Sequence, residues 1–174
     1  MNKLFIFLLL CILIVSCKSS NDPEVVYADW NLKNEQYFNQ MKDSADYVLY
    51  NIPSSRGGNS FYYKILSPGT QTSESASDST RIYINYRGKL ITGSVFDQTY
   101  SGNSALNDST ALPSWFRMKD LKIGLVENLK LMKIGEVRRF ILPQELGYGT
   151  EIDHPAIPPY STTIWDVQLI HSDN

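Results

Sequence analysis

The stretch that most constrains the fold is residues 132–149, which read MKIGEVRRFILPQELGYG. An apolar helical pattern ends at its start, and Gly135 follows at the position where a helix is expected to stop. Successive side chains from 136 to 142 divide between two faces, which is the periodicity of a β-strand. Gly147-Tyr148-Gly149 then places an aromatic hydroxyl on a turn. The stretch therefore predicts a helix, a strand and a turn, with the Tyr148 ring standing clear of the backbone.

The remainder of the second half of the chain has strand patterns around one helical pattern. Alternating side chains predict further strands at residues 61–66, 81–88, 94–100 and 162–170. An apolar stripe predicts a helix over 121–132, whereas the polar stretches 70–80 and 101–114 are typical of surface loops. Strands that flank a lone helix predict an α+β domain, in which the helix covers one face of a curved antiparallel sheet.

A second helical pattern precedes this domain. Apolar and aromatic residues recur at helical spacing from 25 to 50, and Pro53 and the glycines after it end the segment. We expect residues 25–58 to form a helical extension and residues 59–172 to form a globular domain that folds without it. The helix could dock on the domain, pair two chains, or pack on a core of its own.

The first residues are typical of a targeting signal. Lys3 precedes an apolar run that is too short for a comfortable transmembrane helix, so residues 1–16 are interpreted as a signal peptide. Its last residues and Cys17 resemble a bacterial lipobox, in which the cysteine becomes the lipid-bearing N-terminus. The alternative is a buried free cysteine. We expect residues 17–24 to be a tether and the protein to be exported and lipid-anchored to a bacterial membrane, at the outer membrane or periplasmic face.

Composition and motifs argue against several classes of function. The chain has 174 residues and a formal net charge of −2, with no basic patch, so nucleic acid is not an expected partner. His154 and His171 lie far apart, no Cys/His cluster has metal-ligand spacing, and no glycine-rich phosphate loop is present. We therefore expect neither a metal nor a cofactor.

Several short motifs together resemble one known family. Tyr86-Arg87-Gly88 is similar to a Y-x-G motif, and Val95-Phe96-Asp97 is similar to an x-F-D motif. The stretch 132–149 and then Ile157-Pro158-Pro159 follow in the same order and at similar spacing. This ordered set resembles the FKBP-type peptidyl-prolyl cis–trans isomerases over about residues 61–170, and the N-terminal third lies outside the resemblance.

The resemblance implies a fold, an activity and a set of site residues. The fold would be an FKBP-like curved antiparallel sheet wrapped around one short α-helix, here preceded by an N-terminal helical segment. The implied catalytic residues are Tyr148, Asp97 and Phe96. The implied substrate-binding residues are Tyr86, Phe96, Asp97, Phe116, Leu121, Lys122, Leu125, Tyr148, Ile157 and Trp165. In this interpretation the Tyr148 hydroxyl and the backbone N–H of Lys122 donate to the substrate carbonyl, and Asp97 fixes the rim through hydrogen bonds to Tyr86 or nearby backbone.

Two departures from the family pattern keep other functions open. The usual V-I-x-G-W at the start of the helix is Leu121-Lys122-Ile123-Gly124-Leu125, so a leucine replaces the tryptophan of the pocket floor and a lysine replaces an aliphatic residue. The expected function is isomerisation of X–Pro bonds in exported polypeptides. The alternatives are a non-catalytic module that binds proline-containing segments as a folding or assembly helper, and a surface lipoprotein with an unrelated ligand. The oligomeric state stays open.

Overall fold

The computed structural model describes residues 21–72, 80–99 and 111–173. The predicted signal peptide and the lipidation site at Cys17 lie outside these residues. The α-helices are α1 (Pro23–Val26), α2 (Ala28–Gln40) and α3 (Ile123–Leu131). The strands are β1 (Val48–Asn51), β2 (Ser60–Ser67), β3 (Gln71–Thr72), β4 (Arg81–Leu90), β5 (Val95–Gln98), β6 (Ser114–Arg117), β7 (Lys133–Ile134), β8 (Val137–Leu142) and β9 (Thr163–Asp173). Short 3₁₀ turns span Met41–Asp43, Ser54–Arg56, Met118–Asp120 and Gln144–Leu146.

Within the described ranges, seven strands form one antiparallel sheet in the order β1-β2-β8-β9-β4-β5, and β6 also pairs with β4. The long strand β9 lies between β8 and β4 and pairs with both along most of its length. The first half of β4 pairs with β6 and the second half with β5. β3 and β7 form a separate two-stranded pair. The sheet therefore brings β4, β5, β6 and β9 together at one end.

One face of the sheet forms the main core with α3. Ile84, Phe140 and Val167 are buried there against Leu125 and Leu129 of the helix. This arrangement has the antiparallel sheet and single short domain helix that the sequence predicts. Gly124 allows the close approach, because a Cβ at this position would lie 2.7 Å from Leu142 Cδ1.

The predicted helix from 25 to 50 is wrong at its C-terminal end. The structure ends α2 at Gln40, and Val48–Asn51 forms strand β1 instead. Valine, leucine and tyrosine in succession suit a strand as well as a helical stripe, and pairing with β2 decides between them. Ile52, just after the strand, is 4% exposed in the main core. The segment predicted as a separate extension thus contributes a strand and a core residue to the sheet.

The tether 17–24 stays a prediction. Its last residues are described, and the helical turn Pro23–Val26 begins within them. Asp22 caps this turn by accepting a hydrogen bond from the Glu24 backbone N–H at 3.0 Å. An aspartate at the cap followed by proline at the first helical position favours a helix start.

α2 packs on the opposite face of the sheet from α3. Phe38 meets Tyr62 edge-to-face with ring centroids 5.0 Å apart. Tyr37 and Met41 pack with Phe38 on the cluster of Tyr62, Ile141 and Ile164. Docking on the domain is therefore the arrangement found, out of the three that the sequence left open, while pairing of chains stays untested. No helix in the described part of the chain is both long and apolar enough to traverse a bilayer.

A buried asparagine joins α2 to the start of β9. Asn34 is 1% exposed, and its Oδ1 accepts a hydrogen bond from the Thr162 backbone N–H at 2.8 Å. Its Nδ2 donates to the Trp30 carbonyl at 2.7 Å, and its own carbonyl accepts from Thr162 Oγ1 at 3.2 Å. Trp30 Nε1 also donates to Ser161 Oγ at 3.0 Å. These four bonds form the Asn34 clamp, which fixes the helix to the segment that leads into β9.

Candidate active site

A cavity of about 170 Å³ opens where β4, β5, β6 and β9 meet the start of α3. Its walls are Ile84, Tyr86, Asp97, Phe116, Asp120, Leu121, Lys122, Leu125, Tyr148 and Trp165. Eight of these were expected from the sequence, and they come from six separate parts of the chain. Ile84 and Asp120 were missed; Ile84 shares the inward face of β4 with Tyr86, so the alternation of that strand could have identified it.

Two expected residues do not line the cavity. The Phe96 ring contacts two wall residues, edge-to-face with Trp165 at 5.2 Å and with Tyr148 at 6.2 Å between ring centroids. Ile157 is 5% exposed and buried, but it is absent from the cavity lining. Phe96 therefore supports two wall residues, and a contact of Ile157 with the substrate stays a prediction.

Aromatic rings form the deepest part of the cavity. Trp165 is 4% exposed and its indole N–H donates to Thr163 Oγ1 at 3.0 Å. The Tyr86 ring lies 5.9 Å from the rings of both Trp165 and Phe116. Because the indole N–H already has an acceptor, Trp165 presents an apolar surface, and Leu125 adds an aliphatic one.

Gly88 explains why the Tyr86-Arg87-Gly88 motif ends in glycine. It pairs with Asp97 of β5 on one side and with Trp165 of β9 on the other. A Cβ at position 88 would overlap the Phe96 ring, at 2.5 Å from Cζ, and would lie 3.1 Å from Trp165 Cζ3. The absence of a side chain at Gly88 therefore gives Phe96 its place against the strand.

A hydrogen bond joins β4 to β5 at the rim of the cavity. The Tyr86 hydroxyl donates to Asp97 Oδ2 at 2.8 Å. Burial raises the pKa of the Tyr86 hydroxyl, and the hydrogen bond and charge of Asp97 raise it further. Tyr86 therefore stays protonated well above neutral pH, and Asp97 acts in this geometry as an acceptor that holds the tyrosine.

Tyr148 brings a second hydroxyl to the cavity. The tyrosine is half-buried, and burial raises the pKa of its hydroxyl, with smaller contributions from the negative charges of Asp97 and Glu151. Its ring does not stand clear as the glycines around it suggest, because it packs edge-to-face on Phe96 and on His154, the latter at 4.8 Å. The hydroxyl itself has no hydrogen-bond partner among residues 21–72, 80–99 and 111–173. It is therefore available to a ligand.

Charged side chains surround Tyr148 at the mouth of the cavity. Lys122 Nζ lies 5.0 Å from the centre of the Tyr148 ring and 2.8 Å from Glu151 Oε1. The hydrogen bond from Lys122 lowers the pKa of the Glu151 carboxyl, and His154 at 3.1 Å lowers it further. The backbone N–H of Lys122 donates to no acceptor in the described part of the chain, which leaves a second donor beside Tyr148.

The described residues offer one group whose ligand atoms could surround a metal ion, namely Glu151, Asp153 and His154, all within 4.8 Å of one another. The group lies at the surface, and Glu151 is already paired with Lys122. It is adjacent to the cavity and contributes none of its lining residues, which are mainly apolar and aromatic together with Asp97, Asp120 and Lys122.

Comparison with known families places these motifs in context. The model of the FKBP-type peptidyl-prolyl cis-trans isomerase family matches residues 72–170. FkpA of Escherichia coli (strain K12), an FKBP-type isomerase, is 34% identical over 108 residues, which is 62% of this chain and 36% of FkpA. The isomerase Mip of Coxiella burnetii is 32% identical over 112 residues, 64% of this chain and 44% of Mip. The matched part therefore spans less than half the length of these relatives.

Solved structures show the same architecture. The crystal structure of FkpA from Escherichia coli has a TM-score of 0.68 at 28% identity, covering 87% of this chain and 62% of that one. A peptidyl-prolyl cis-trans isomerase from Pseudomonas syringae pv. tomato has a TM-score of 0.65 at 24% identity, covering 84% and 96%. The FKBP-like fold expected from the sequence motifs is confirmed.

Proposed function

Because the chain belongs to the FKBP-type peptidyl-prolyl cis-trans isomerase family, we propose that it accelerates rotation about X–Pro bonds in exported polypeptides. The single observation that carries the proposal is the small apolar cavity with two unengaged donors, the Tyr148 hydroxyl and the Lys122 N–H, at its mouth. Pockets for drug-sized ligands measure about 300–1,000 Å³. A cavity of about 170 Å³ is instead suited to one side chain, such as a proline ring.

The proposed reaction needs no proton transfer, metal or cofactor. Rotation about the X–Pro bond has a barrier near 18–20 kcal/mol because it breaks amide resonance, and uncatalysed exchange takes tens to hundreds of seconds. The twisted transition state has lost this resonance and is less dipolar than the planar amide. An apolar site that excludes water therefore stabilises it relative to the ground state.

Several residues at the cavity have roles in this proposal. Tyr148 O–H and Lys122 N–H donate to the carbonyl oxygen of the residue before proline. Trp165 and Leu125 contact the proline ring, with Leu125 in place of the tryptophan that the family usually has there. Asp97 holds the Tyr86 hydroxyl. Phe96 acts through other residues, because its ring supports both Tyr148 and Trp165.

Replacing Tyr148 by phenylalanine tests the proposed donor. The hydroxyl makes no protein hydrogen bond in the described structure, so Tyr148→Phe should leave the melting temperature nearly unchanged. A neutral hydrogen bond contributes roughly 0.5–1.5 kcal/mol, so kcat/KM should fall by about tenfold or less. The measurement is a protease-coupled isomerisation assay on a proline tetrapeptide, beside a thermal melt.

Tyr83→Phe is the matched control, because it removes a hydroxyl that bonds Asp173 at 3.2 Å outside the cavity. It should not change kcat/KM. Full activity of Tyr148→Phe would contradict the assigned donor, and loss of folding would show that its hydroxyl is structural. No acceleration by the unaltered protein would contradict the proposed activity.

A second candidate is a module that binds proline-containing segments without catalysis. The observation in its favour is the ion pair of Lys122 with Glu151, which places charge over the Tyr148 ring at the cavity mouth. A labelled proline peptide would then bind, and binding would weaken in Phe96→Ala, but the isomerisation rate would equal that in buffer. The assay above separates the two functions.

The proposal includes a lipid anchor on Cys17, based on the sequence that precedes it. If this cysteine is acylated, Cys17→Ser should move the protein from the membrane fraction to the soluble fraction, since each buried methylene of an acyl chain adds about 0.8 kcal/mol of membrane affinity. Cys11→Ser is the control and should stay with the membrane, because Cys11 belongs to the predicted signal peptide. A processed Cys17→Ser protein that resists a high-salt wash would contradict the anchor.

A further inference from the structure

A second groove adjoins the cavity. It measures about 480 Å³ and lies between the 3₁₀ turn at Met118–Asp120, α3 and the turn at Ser54–Arg56. Its lining includes Arg56, Lys119, Leu121, Ile123, Glu127 and Lys130, which we call the basic groove. Leu121 lines both the groove and the cavity, so the two depressions adjoin at this residue.

The charges of the groove are unbalanced. It has three cationic side chains and one carboxylate, a formal net charge of +2, whereas the whole chain carries −2. The carboxylate of Glu127 is 2% exposed and lies 3.2 Å from Arg56 Nη2 and 3.9 Å from Lys130 Nζ. Lys119 has no ion pair or hydrogen bond with any residue that the structure describes. The buried glutamate thus holds two of the cations in place, while the charge of Lys119 is available to a ligand.

The groove also has an apolar side. Ile123 is 40% exposed at the surface of α3, next to the shared Leu121. When the proline of a polypeptide occupies the cavity, the residues that flank it must extend out over the residues at the cavity edge. An extended chain advances about 3.3 Å per residue, and alternate side chains point the same way. A carboxylate a few residues from the proline would reach the lysines while an apolar neighbour contacts Ile123.

We propose that the basic groove binds an acidic segment of the polypeptide substrate that flanks the proline. This inference rests on the proposed isomerase function and gives it a substrate class: proline segments with glutamate or aspartate on one side. Exposed ion pairs contribute little to affinity individually, so two of them should raise kcat/KM by about three- to tenfold at low salt. The gain should appear in KM, because contacts remote from the rotating bond stabilise substrate and transition state equally.

The test compares proline peptides that differ only in glutamate or glutamine a few residues before or after the proline. With the unaltered protein, one glutamate peptide should have the higher kcat/KM, and high salt should remove the difference because screening weakens exposed charge pairs. Lys119→Gln and Lys130→Gln should each reduce the preference without changing kcat/KM for the glutamine peptide. Lys33→Gln is the control, an exposed lysine on α2 that should keep the full preference.

The outcomes separate this inference from the proposed activity. Equal kcat/KM for glutamate and glutamine peptides on both sides of proline would overturn the basic groove and leave the isomerase intact. A preference that is undiminished in both lysine variants would also overturn it. If no peptide is isomerised, the proposed activity fails, and fluorescence anisotropy of the same labelled peptides then tests the groove by binding alone. In that binding test, equal affinities of the glutamate and glutamine peptides at low salt would overturn the basic groove.

Discussion

A chain that begins at Asn59 should fail to fold into a stable domain. This deletion removes β1, which pairs residue for residue with β2, together with Ile52 in the main core. It also removes Tyr50, whose ring lies 5.1 Å from that of Phe61. Loss of a single buried aliphatic side chain typically costs about 2–5 kcal/mol, and a domain has only about 5–15 kcal/mol in total. The sequence alone predicts the opposite, a domain that folds from Asn59 onward.

A shorter deletion distinguishes the strand from the helix. A chain that begins at Ser44 lacks α2 and the Asn34 clamp but keeps β1, so it should fold with a lower melting temperature. Circular dichroism melts of the full chain and both deletions provide the measurement. A cooperative transition of the Asn59 chain close to that of the full chain would contradict the structural role of β1. An equal fall in melting temperature in both deletions would show that α2, rather than β1, provides the stability.

Gly88→Ala should reduce activity through Phe96. The backbone of Gly88 is not in the left-handed region, so alanine is allowed there and the cost comes from overlap with the Phe96 ring. Phe96→Ala removes the same ring outright. The ring supports both Tyr148 and Trp165, so its loss should misplace the donor and the apolar wall. A misplacement of about 1 Å can cost on the order of a hundredfold in rate, so kcat/KM should fall by roughly ten- to a hundredfold in either variant. Because Phe96 is only partly buried, its truncation should destabilise the fold by less than the roughly 3–5 kcal/mol typical of a fully buried phenylalanine.

A double-mutant cycle tests the mechanism. If Gly88→Ala acts by displacing the Phe96 ring, it should cause little further loss of kcat/KM in a protein that already carries Phe96→Ala. Residues in direct contact give such non-additive effects, whereas independent sites add. The measurements are kcat/KM on a proline peptide and a melt for each single variant and the double variant. Additive losses would show that Gly88 acts on the sheet rather than on Phe96.

The sequence predicts the central strands better than the edges of the sheet. β4, β8 and β9 have long side-chain alternations, and the inward face of β4 correctly placed Tyr86 toward the core. β1 and β6 have four residues each, and their identity depends on pairing with distant strands. A four-residue segment carries too little periodicity to distinguish a strand from the end of a helix, and β6 follows directly on a polar loop.

In the candidate site, too, the sequence predicts some features, whereas others depend on the tertiary fold. The motif residues Tyr86, Asp97 and Tyr148 lie at one cavity, as their order along the chain suggested. The packing of the Phe96 ring on Gly88 could not be predicted, because it depends on how closely β5 approaches Gly88 in the fold. The basic groove was also invisible in the sequence, since Arg56 belongs to the segment predicted as an extension and meets Glu127 through the tertiary fold.

The two tyrosines of the cavity are attached to backbone of very different rigidity. Tyr86 lies on β4, which pairs with β9 over its whole length and with β6 and β5 along its other edge. Tyr148 lies in a turn between glycines, where backbone bonds from Gly149 N–H to Gln144 and from Tyr160 N–H to Gly149 hold the chain. Amide hydrogens of β4 should therefore exchange with solvent through global unfolding, and those near Tyr148 through local opening. The cavity would then adapt to substrates of different size by movement of the turn that holds Tyr148, while β4 keeps Tyr86 in place.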